Sequence, residues 1–381
     1  MSAGLQFVVL GANTPWVYAL AEALAKEHPT TAICVYDWRT YYRNQVFWPA
    51  RRASCGLRRT LWLFPPGFLG AFRSIFSSLI AIRLKGILSQ PLHRAVPRTW
   101  LIAPYPWLAP PEIPIQFSNL VYYNLDDYPI YRPDRAARIK RQEEKTLTRA
   151  RLVLCLAREQ VRRFQSRPGV CAENIRHFPL GVSSELLAPR EGTQVEPRTV
   201  AYVGNLGDRV HWEVVFEVAR SMPEVKFDFI GGLNDITGGG KRPDWREWRS
   251  RTFHLPNVCH RAMVPQDQVA LYYWKAGLNW IPYDIDHPFN MASCPTKIMD
   301  GLASGRPVLS TAVPECLLYP DYLSIFHSAA EAKSLIGEHL SLLAQGRWET
   351  RQVSQLTFVR SHLWSERAAT LSAWLQSIQD N

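Results

Sequence analysis

The chain has 381 residues, of which 47% are hydrophobic and 20% are charged, and its formal net charge is +11. This composition predicts a folded protein rather than a disordered one, and the length suits two domains better than one core. No apolar run reaches the roughly 18 residues that a membrane-spanning helix needs. The first residues lack the basic segment of a signal peptide.

The seven cysteines are scattered and form no C-x-x-C pair. This pattern argues against a disulfide framework or a zinc site and predicts reduced thiols in a cytoplasmic protein. Residues 38–111 contain no Asp or Glu but eleven Lys and Arg, interleaved with aromatic and aliphatic side chains. We expect this basic stretch to contact an anionic membrane surface or an anionic polymer. No nucleic-acid-binding motif accompanies it, so nucleic acid is not the expected partner.

The first half of the chain alternates strands and helices. An apolar strand at 6–10 ends at Gly11, a helical pattern follows at 17–25, and a second strand spans 32–36. The G-x-G-x-x-G fingerprint and the P-loop are both absent, so neither a dinucleotide site nor a P-loop site is predicted. Because open α/β sheets bind ligands beyond the carboxyl ends of their strands, Gly11, Asn13 and Tyr105 are candidate acceptor-loop residues.

Two adjacent carboxylates, Asp126 and Asp127, follow a predicted strand at 120–124. Neighbouring carboxylates can raise each other's pKa, which suits a general base that works near neutral pH. The alternative for one of the two is capping of a turn or helix. We favour Asp127 as the base and take Asp126 as the second candidate. Further elements are predicted as strands at 60–64, 100–103, 151–156 and 174–179 and helices at 68–90, 135–149 and 157–166.

The alternation restarts after a polar linker at 189–197. Strands are predicted at 198–203, 226–230, near 258, at 278–281, 307–310 and 323–326, and helices at 211–221, 266–275, 328–345 and 351–379. The segment 233–251 is polar and Gly-rich and is predicted as a surface excursion. The fold class is therefore α/β, with two Rossmann-like doubly wound domains at 1–185 and 198–355. A C-terminal helix at 356–381 is expected to cross back to the first domain.

The segment C-P-T-K-I-M-D-G-L-A-S-G-R-P-V-L (294–309) predicts a helix that begins near Lys297 and leads into a buried strand. A helix N-terminus attracts anions, and a lysine there adds a full positive charge for a diphosphate. The alternative is a solvated surface lysine. Thr296 lies in the preceding turn, and Asp300 lies one helical turn after Lys297, where it can bind a ribose hydroxyl or pair with Lys297.

Four stretches of the chain, taken together, resemble the GT-B glycosyltransferases of family 4. They are V-A-Y-V-G-N-L-G-D (200–208), the run from H-L-P-N-V to W-I-P-Y (254–283), P-T-K-I-M-D-G-L-A-S-G-R-P-V-L-S-T (295–311) and I-R-H-F-P-L-G-V (175–182). The resemblance implies a GT-B fold, a nucleotide-sugar co-substrate and chemistry that needs no metal cofactor. It implies donor contacts from the following residues: Lys297, Tyr283, Arg261, Asp300, Gly204, Arg209 and Thr296. For Arg209 the alternative is a surface arginine, and for Tyr283 it is a core residue.

The sequence departs from the usual glutamate pair of this family. Asp300 stands at the second glutamate position, and the first falls near Ala292. That departure, together with Y-N-L-D-D (123–127), resembles the bacterial exopolysaccharide branch, including teichuronic acid enzymes and xanthan-type glucuronosyltransferases. Retention and inversion at the anomeric carbon both stay open.

The expected function is transfer of a sugar, with UDP favoured, from a nucleoside diphosphate to a lipid-linked or polysaccharide acceptor at the inner membrane face. The alternative is a non-catalytic scaffold of the same fold that binds an anionic polymer, a lipid surface or a protein. Asp284 and Asp286 match the D-x-D pattern that binds metal in another glycosyltransferase fold. Because two tandem α/β halves argue against that fold, no metal is expected there.

Overall fold

The computed structural model describes residues 4–43, 56–68, 73–88, 99–108, 119–189, 192–233, 237 and 239–380. In these residues the strands form two sheets in which all the pairings are parallel. The first sheet has the order β3-β2-β1-β4-β5-β6-β7 and the second the order β10-β9-β8-β11-β12-β13. In each sheet the order reverses between two neighbouring strands, which is the doubly wound arrangement. The predicted α/β fold class is confirmed.

The central strands of the first sheet are short, mostly apolar runs that are buried on both faces, as parallel strands require, whereas the edge strands are only partly buried. The strands of this sheet are β1 (Gln6–Leu10), β2 (Thr30–Asp37), β3 (Leu57–Phe64), β4 (Thr99–Ala103), β5 (Leu120–Asn124), β6 (Leu152–Cys155) and β7 (Ile175–His177). The helices of this half are α1 (Pro15–Leu24), α2 (Trp38–Arg43), α3 (Arg73–Leu88), α4 (Tyr128–Tyr131), α5 (Ala136–Leu147) and α6 (Arg158–Gln165).

The second sheet repeats the plan. Its strands are β8 (Glu196–Val203), β9 (Lys226–Ile230), β10 (Val258–Arg261), β11 (Ala276–Ile281), β12 (Val308–Thr311) and β13 (Leu323–Phe326). The helices around it are α7 (Trp212–Ser221), α8 (Trp245–Phe253), α9 (Val269–Lys275), α10 (Pro288–Met291), α11 (Lys297–Ala303), α12 (Ala329–Ala344) and α13 (Glu349–Arg360). The helix α8 corrects the prediction of a surface excursion, because Trp245 and Thr252 are buried.

The C-terminal region contains a break that the sequence pattern does not reveal. The predicted helix 351–379 is split into α13 and α14 (Trp364–Asp380). At the break Val182 donates to the His362 carbonyl at 3.0 Å, and Trp364 donates back to the Val182 carbonyl at 3.2 Å. Gly181 makes room for the Trp364 ring, since a Cβ atom there would lie 2.6 Å from it.

The helix α14 packs on the first half of the chain. Its Leu371 and Leu375 are fully buried in one cluster with Leu20 of α1 and Val9 of β1. The crossing helix therefore begins at Trp364, eight residues after the predicted start of the C-terminal unit. The domain bounds themselves remain a proposal.

The predicted helix 68–90 is described only as α3, since 69–72 and 89–90 lie outside the described residues. Much of the basic stretch 38–111 likewise lies outside them. In the part of the chain that is described, no helix combines the length and the apolar character that crossing a bilayer requires.

Candidate functional site

The candidate residues gather at the carboxyl edges of the two sheets, where the strand order reverses. In the first sheet Gly11 follows β1 and Tyr105 follows β4, and these two strands are the pair at the reversal. In the second sheet Gly204 follows β8 and Tyr283 follows β11, the corresponding pair. A doubly wound sheet opens a crevice at this point because its helices diverge to opposite faces.

Lys297 is buried at this edge rather than solvated at the surface. Its side chain is 7% exposed, and its ammonium group donates to the Tyr283 hydroxyl at 2.9 Å. The same ammonium lies 4.9 Å from the centre of the Tyr202 ring. A buried ammonium needs such partners, because an unpaired charge in a low-dielectric site is costly. Lys297 therefore points across the carboxyl edge of the sheet instead of pairing with Asp300.

Gly204 provides the space that Lys297 occupies. Its φ of +146° is rarely adopted by residues with a side chain, and a Cβ atom there would overlap Lys297 Nζ and lie 2.7 Å from Cε. The local sequence thus requires glycine for both conformation and close approach. Gly204 and Lys297, far apart in the chain, belong to one site.

Arg209 is a second cation at the same place. Its guanidinium lies between the rings of Tyr283, at 4.7 Å, and Phe289, at 4.4 Å. Its Nε donates to Asn290 Oδ1 at 2.7 Å and its Nη2 to Ser293 Oγ at 3.0 Å. These contacts hold the planar group in one orientation, so Arg209 is not a mobile surface arginine.

Tyr283 lies between the two cations and is 3% exposed. Burial favours the neutral phenol, but the charges of Arg209 and Lys297 outweigh it and lower the pKa of Tyr283 to about 8. The low pKa reports a strongly positive local potential. An anion of higher charge than a phenolate, such as a diphosphate, is the ligand that this potential favours.

Asp300 and Thr296 lie on either side of the start of α11. Burial raises the pKa of Asp300 to about 7, although Lys297 opposes the increase. Thr296 is the N-terminal cap position of α11, and its carbonyl accepts from the Asp300 amide at 3.1 Å. The helix has only seven residues, so the Lys297 charge outweighs any helix dipole here.

Arg261 lies apart from this cluster. It is the last residue of β10, the edge strand two positions away from β8, which is roughly 10 Å at ordinary strand spacing. Its Nε lies 3.5 Å from Asp228 Oδ1, and 44% of its side chain is exposed. Arg261 is therefore placed for the far end of an extended ligand, not for the group beside Lys297.

The two neighbouring carboxylates of the first half have different environments. Asp127 caps α4, accepting from the Ile130 amide at 3.4 Å, and its Oδ2 lies 2.8 Å from Arg163 Nη1. Burial raises the pKa of Asp126 to about 7, with Arg209 lowering it and Asp127 raising it. Asp127 is thus engaged in a cap and an ion pair, whereas Asp126 has the raised pKa of a buried carboxyl group.

Asp126 faces the second half of the chain. Arg209, which follows β8 in the second half, lowers the pKa of Asp126, which follows β5 in the first half. The two side chains therefore lie close to each other. Nearby, the rings of Tyr131 and Phe289 lie 6.1 Å apart. The carboxyl edges of the two sheets therefore meet across a shared cleft.

The three predicted acceptor-loop residues differ in availability. Asn13 uses its amide inside the sheet, since Nδ2 donates to the Val35 carbonyl at 2.5 Å and Oδ1 accepts from the Val35 amide at 3.0 Å. Gly11 has a φ of +91°, and a Cβ atom there would lie 2.8 Å from Leu108. Tyr105 stacks on Trp107 with ring centres 5.1 Å apart. Gly11 and Asn13 thus shape the loop, and Tyr105 lines it.

A buried glutamate and a glutamine, neither of them predicted as site residues, fasten the two halves together. Glu315 accepts from the Arg158 amide at 3.0 Å through Oε2, and its Oε1 lies 2.7 Å from His177 Nε2. Gln160 donates to the Ala292 carbonyl at 2.9 Å. No local pattern predicts these contacts, because each joins residues more than 130 positions apart.

The two carboxylates of the D-x-D pattern, Asp284 and Asp286, are both bound by one arginine side chain. Arg242 donates through Nε to Asp284 Oδ2 at 3.1 Å and through Nη2 to Asp286 Oδ2 at 3.3 Å. Within the described ranges, no group of three His, Cys, Asp or Glu side chains is arranged to hold a metal ion.

The comparisons with known proteins agree with this geometry. No family model matches the sequence. A search of curated proteins finds the teichuronic acid biosynthesis glycosyltransferase TuaH of Bacillus subtilis, 22% identical over 237 residues. The match covers 60% of this chain and 57% of the relative, so it spans little more than half of that protein's length.

Solved glycosyltransferase structures match over almost the whole chain. HepE of Anabaena, solved with UDP and glucose, has a TM-score of 0.68 at 12% identity and covers 98% of this chain and 100% of its own. Sucrose-phosphate synthase of Thermosynechococcus elongatus has a TM-score of 0.65 at 15% identity, with coverage of 99% and 100%. A glycosyltransferase of Rickettsia africae has a TM-score of 0.64 at 10% identity and covers both chains fully.

The chain therefore has the GT-B fold of glycosyltransferases. The resemblance to GT-B glycosyltransferases, and to teichuronic acid enzymes among them, is confirmed. At these identities the structural likeness concerns the fold, and the activity is argued from the site.

Proposed function

We propose that this protein is a glycosyltransferase that moves a sugar from a nucleoside diphosphate, with UDP favoured, to an acceptor hydroxyl. The observation that carries the proposal is the pair of cations, Lys297 and Arg209, held on either side of Tyr283, with Arg209 near enough to Asp126 to lower its pKa. A leaving diphosphate needs stabilised negative charge, and an acceptor hydroxyl needs a base. The complex of HepE with UDP supports the choice of uridine as the nucleoside of the donor.

In the proposed reaction Asp126 takes the proton of the acceptor hydroxyl. The acceptor oxygen forms a bond to the anomeric carbon, and the bond from that carbon to the diphosphate oxygen breaks. The diphosphate leaves with the electron pair, and Lys297 and Arg209 stabilise its charge. Arg261 and Asp300 are proposed to contact the nucleoside, and Gly204 and Thr296 to shape the donor pocket. Since both D-x-D carboxylates are bound by Arg242, we propose that transfer needs no metal ion.

The acceptor is proposed to be lipid-linked or a polysaccharide, with the protein at the inner membrane face. The helix α3 supports this, because Ile75, Leu79 and Ile82 project from one side of it and are 59%, 40% and 66% exposed. Arg83 and Lys85 are exposed beside this apolar stripe. Apolar side chains flanked by cations are typical of a surface that binds anionic lipid.

The test is a donor screen. UDP-, GDP- and dTDP-sugars are offered with EDTA or with Mn²⁺, and nucleotide binding is followed by thermal shift and nucleotide release by a coupled assay. We expect a UDP compound to raise the melting temperature and to be consumed equally well with EDTA. Binding without any consumption in the presence of membrane extract would favour a non-catalytic scaffold. Absence of a shift with every nucleotide contradicts the proposal.

A further inference from the structure

A cavity in the first half of the molecule lies beside Asp126. It has a volume of about 340 Å³, is lined by residues of α4, α5, α6 and the end of β5, and is partly open to solvent. This volume is within the range of about 300–1,000 Å³ that is usual for small-molecule sites. Because Asp126 is part of its wall, a ligand in the cavity can reach the proposed base.

The wall of the cavity carries a buried carboxamide, Asn124. Asn124 is 1% exposed, and its Oδ1 accepts from the Tyr122 hydroxyl at 2.9 Å. The Tyr122 hydroxyl also lies 3.3 Å from Glu143 Oε1. A carboxamide nitrogen has two hydrogens to donate, so Asn124 adds hydrogen-bonding capacity to the wall of the cavity.

The charged groups of the wall are mostly paired with each other. Arg167 Nη2 lies 3.0 Å from Glu143 Oε2, and Arg163 Nη1 lies 2.8 Å from Asp127 Oδ2. Burial raises the pKa of Glu143 to about 7, with Arg167 opposing the increase. The cavity therefore offers hydrogen-bond donors and acceptors with little net charge, which suits a ligand rich in hydroxyl groups.

The cavity also borders the donor half of the site. Gln160, another wall residue, donates to the Ala292 carbonyl in the segment between α10 and α11. Phe164, Pro129 and Ile130 supply apolar surface. A wall that combines polar groups with apolar carbon suits a sugar ring, which carries both hydroxyl groups and C–H surface.

We infer that this cavity binds one sugar residue of the acceptor and presents its hydroxyl to Asp126. The inference rests on the proposed function and adds the acceptor's chemical class and the place where it binds. Asn124 donates to the sugar through Nδ2, and Glu143 with Arg167 provides further hydrogen bonds. The acceptor sugar thus lies between α5 and α6, beside Asp126.

The inference is tested by a substitution at the edge of the cavity that blocks it with a larger side chain. Ala136 lines the cavity at the start of α5, whereas the adjacent Ala137 is exposed and does not line it. Ala136→Phe therefore plugs the cavity, and Ala137→Phe is the matched control. The probes are methyl glycosides of glucose, glucuronic acid and N-acetylglucosamine, observed by saturation-transfer NMR with the full chain and UDP.

We expect at least one glycoside to receive saturation from the wild-type protein. The signal should fall at least about fivefold in Ala136→Phe and stay unchanged in Ala137→Phe. Asn124→Asp keeps the acceptor for Tyr122 and removes the Nδ2 donor, so glycoside affinity should fall about tenfold. If Ala136→Phe does not fold, Ala136→Leu and Asn124→Asp test the same cavity.

Two results overturn the inference: no saturation of any glycoside by the wild-type protein, or equal saturation in both phenylalanine variants. UDP affinity, measured in parallel, separates this inference from the proposed function. Normal UDP binding without a cavity effect removes only the acceptor site. Glycoside binding without any nucleotide binding removes the transferase proposal and leaves a sugar-binding cavity.

Discussion

Replacement of Asp126 by Asn is expected to raise stability and abolish transfer. The difference between a pKa of about 7 and the ordinary 3.8 corresponds to about 4 kcal/mol when the carboxylate is ionised. Because the side chain keeps some contact with solvent, we expect about 1–2 kcal/mol of this to be recovered. Asn keeps the shape of the side chain but cannot accept a proton.

The pH dependence follows from the direction of the shift. The folded pKa of Asp126 is raised, so the folded protein holds a proton that the unfolded chain has lost between about pH 4 and pH 7. The wild-type protein therefore loses stability relative to Asp126→Asn as the pH rises through this window. Urea unfolding should show near-equal stability at pH 4.5 and the full gain for the variant at pH 8.5. The transfer rate of the wild-type protein should rise with pH to a plateau above about 7.

The control is Asp127→Asn, which preserves the cap of α4 because Asn is an equally good capping residue. It loses the ion pair with Arg163, which is partly exposed and contributes up to about 1 kcal/mol. We expect a small loss of stability and a transfer rate within about threefold of wild type. Loss of transfer in Asp127→Asn, with activity kept in Asp126→Asn, would falsify the assignment of the base.

Three further predictions concern the donor site and the membrane surface. Lys297→Met should weaken UDP binding about 10- to 100-fold, the contribution of a charged hydrogen bond, and an unchanged affinity by calorimetry would show that Lys297 does not bind the diphosphate. Gly204→Ala places a methyl group against the Lys297 side chain at a backbone φ of +146°. We expect a loss of about 1–3 kcal/mol in stability together with weaker UDP binding, and unchanged stability and UDP affinity would contradict the packing. Ile82→Asp should reduce co-sedimentation with phosphatidylglycerol vesicles several-fold. The melting temperature should stay constant, since the residue is 66% exposed. Equal co-sedimentation of the variant and the wild-type protein would exclude the apolar stripe of α3 as the lipid contact.

Local patterns were sufficient for the fold and for part of the site. The apolar runs that end at Gly11 and Gly204 predict parallel strands followed by ligand loops, and the structure has β1 and β8 at those places. Lys297 could be selected from its position at the start of a helix beside a strand. The predictions of strands and of the helix start succeed because strand period, turn glycines and helix starts depend on neighbours in the chain; the role of Lys297 stays a prediction.

The contacts that distinguish the site depend on tertiary structure. The sequence favoured Asp127 over Asp126 as the base. Only the packing shows that Asp127 caps α4 and that Arg209 lies close enough to Asp126 to lower its pKa. The break before Trp364 is equally invisible, since it depends on a backbone pairing with Val182. The sequence by itself therefore determined the two doubly wound halves, since periodicity and turn residues are local. The tertiary structure decided which carboxylate is buried near Arg209 and which residues line the cavity beside it, because burial and charge proximity arise only when distant segments pack together.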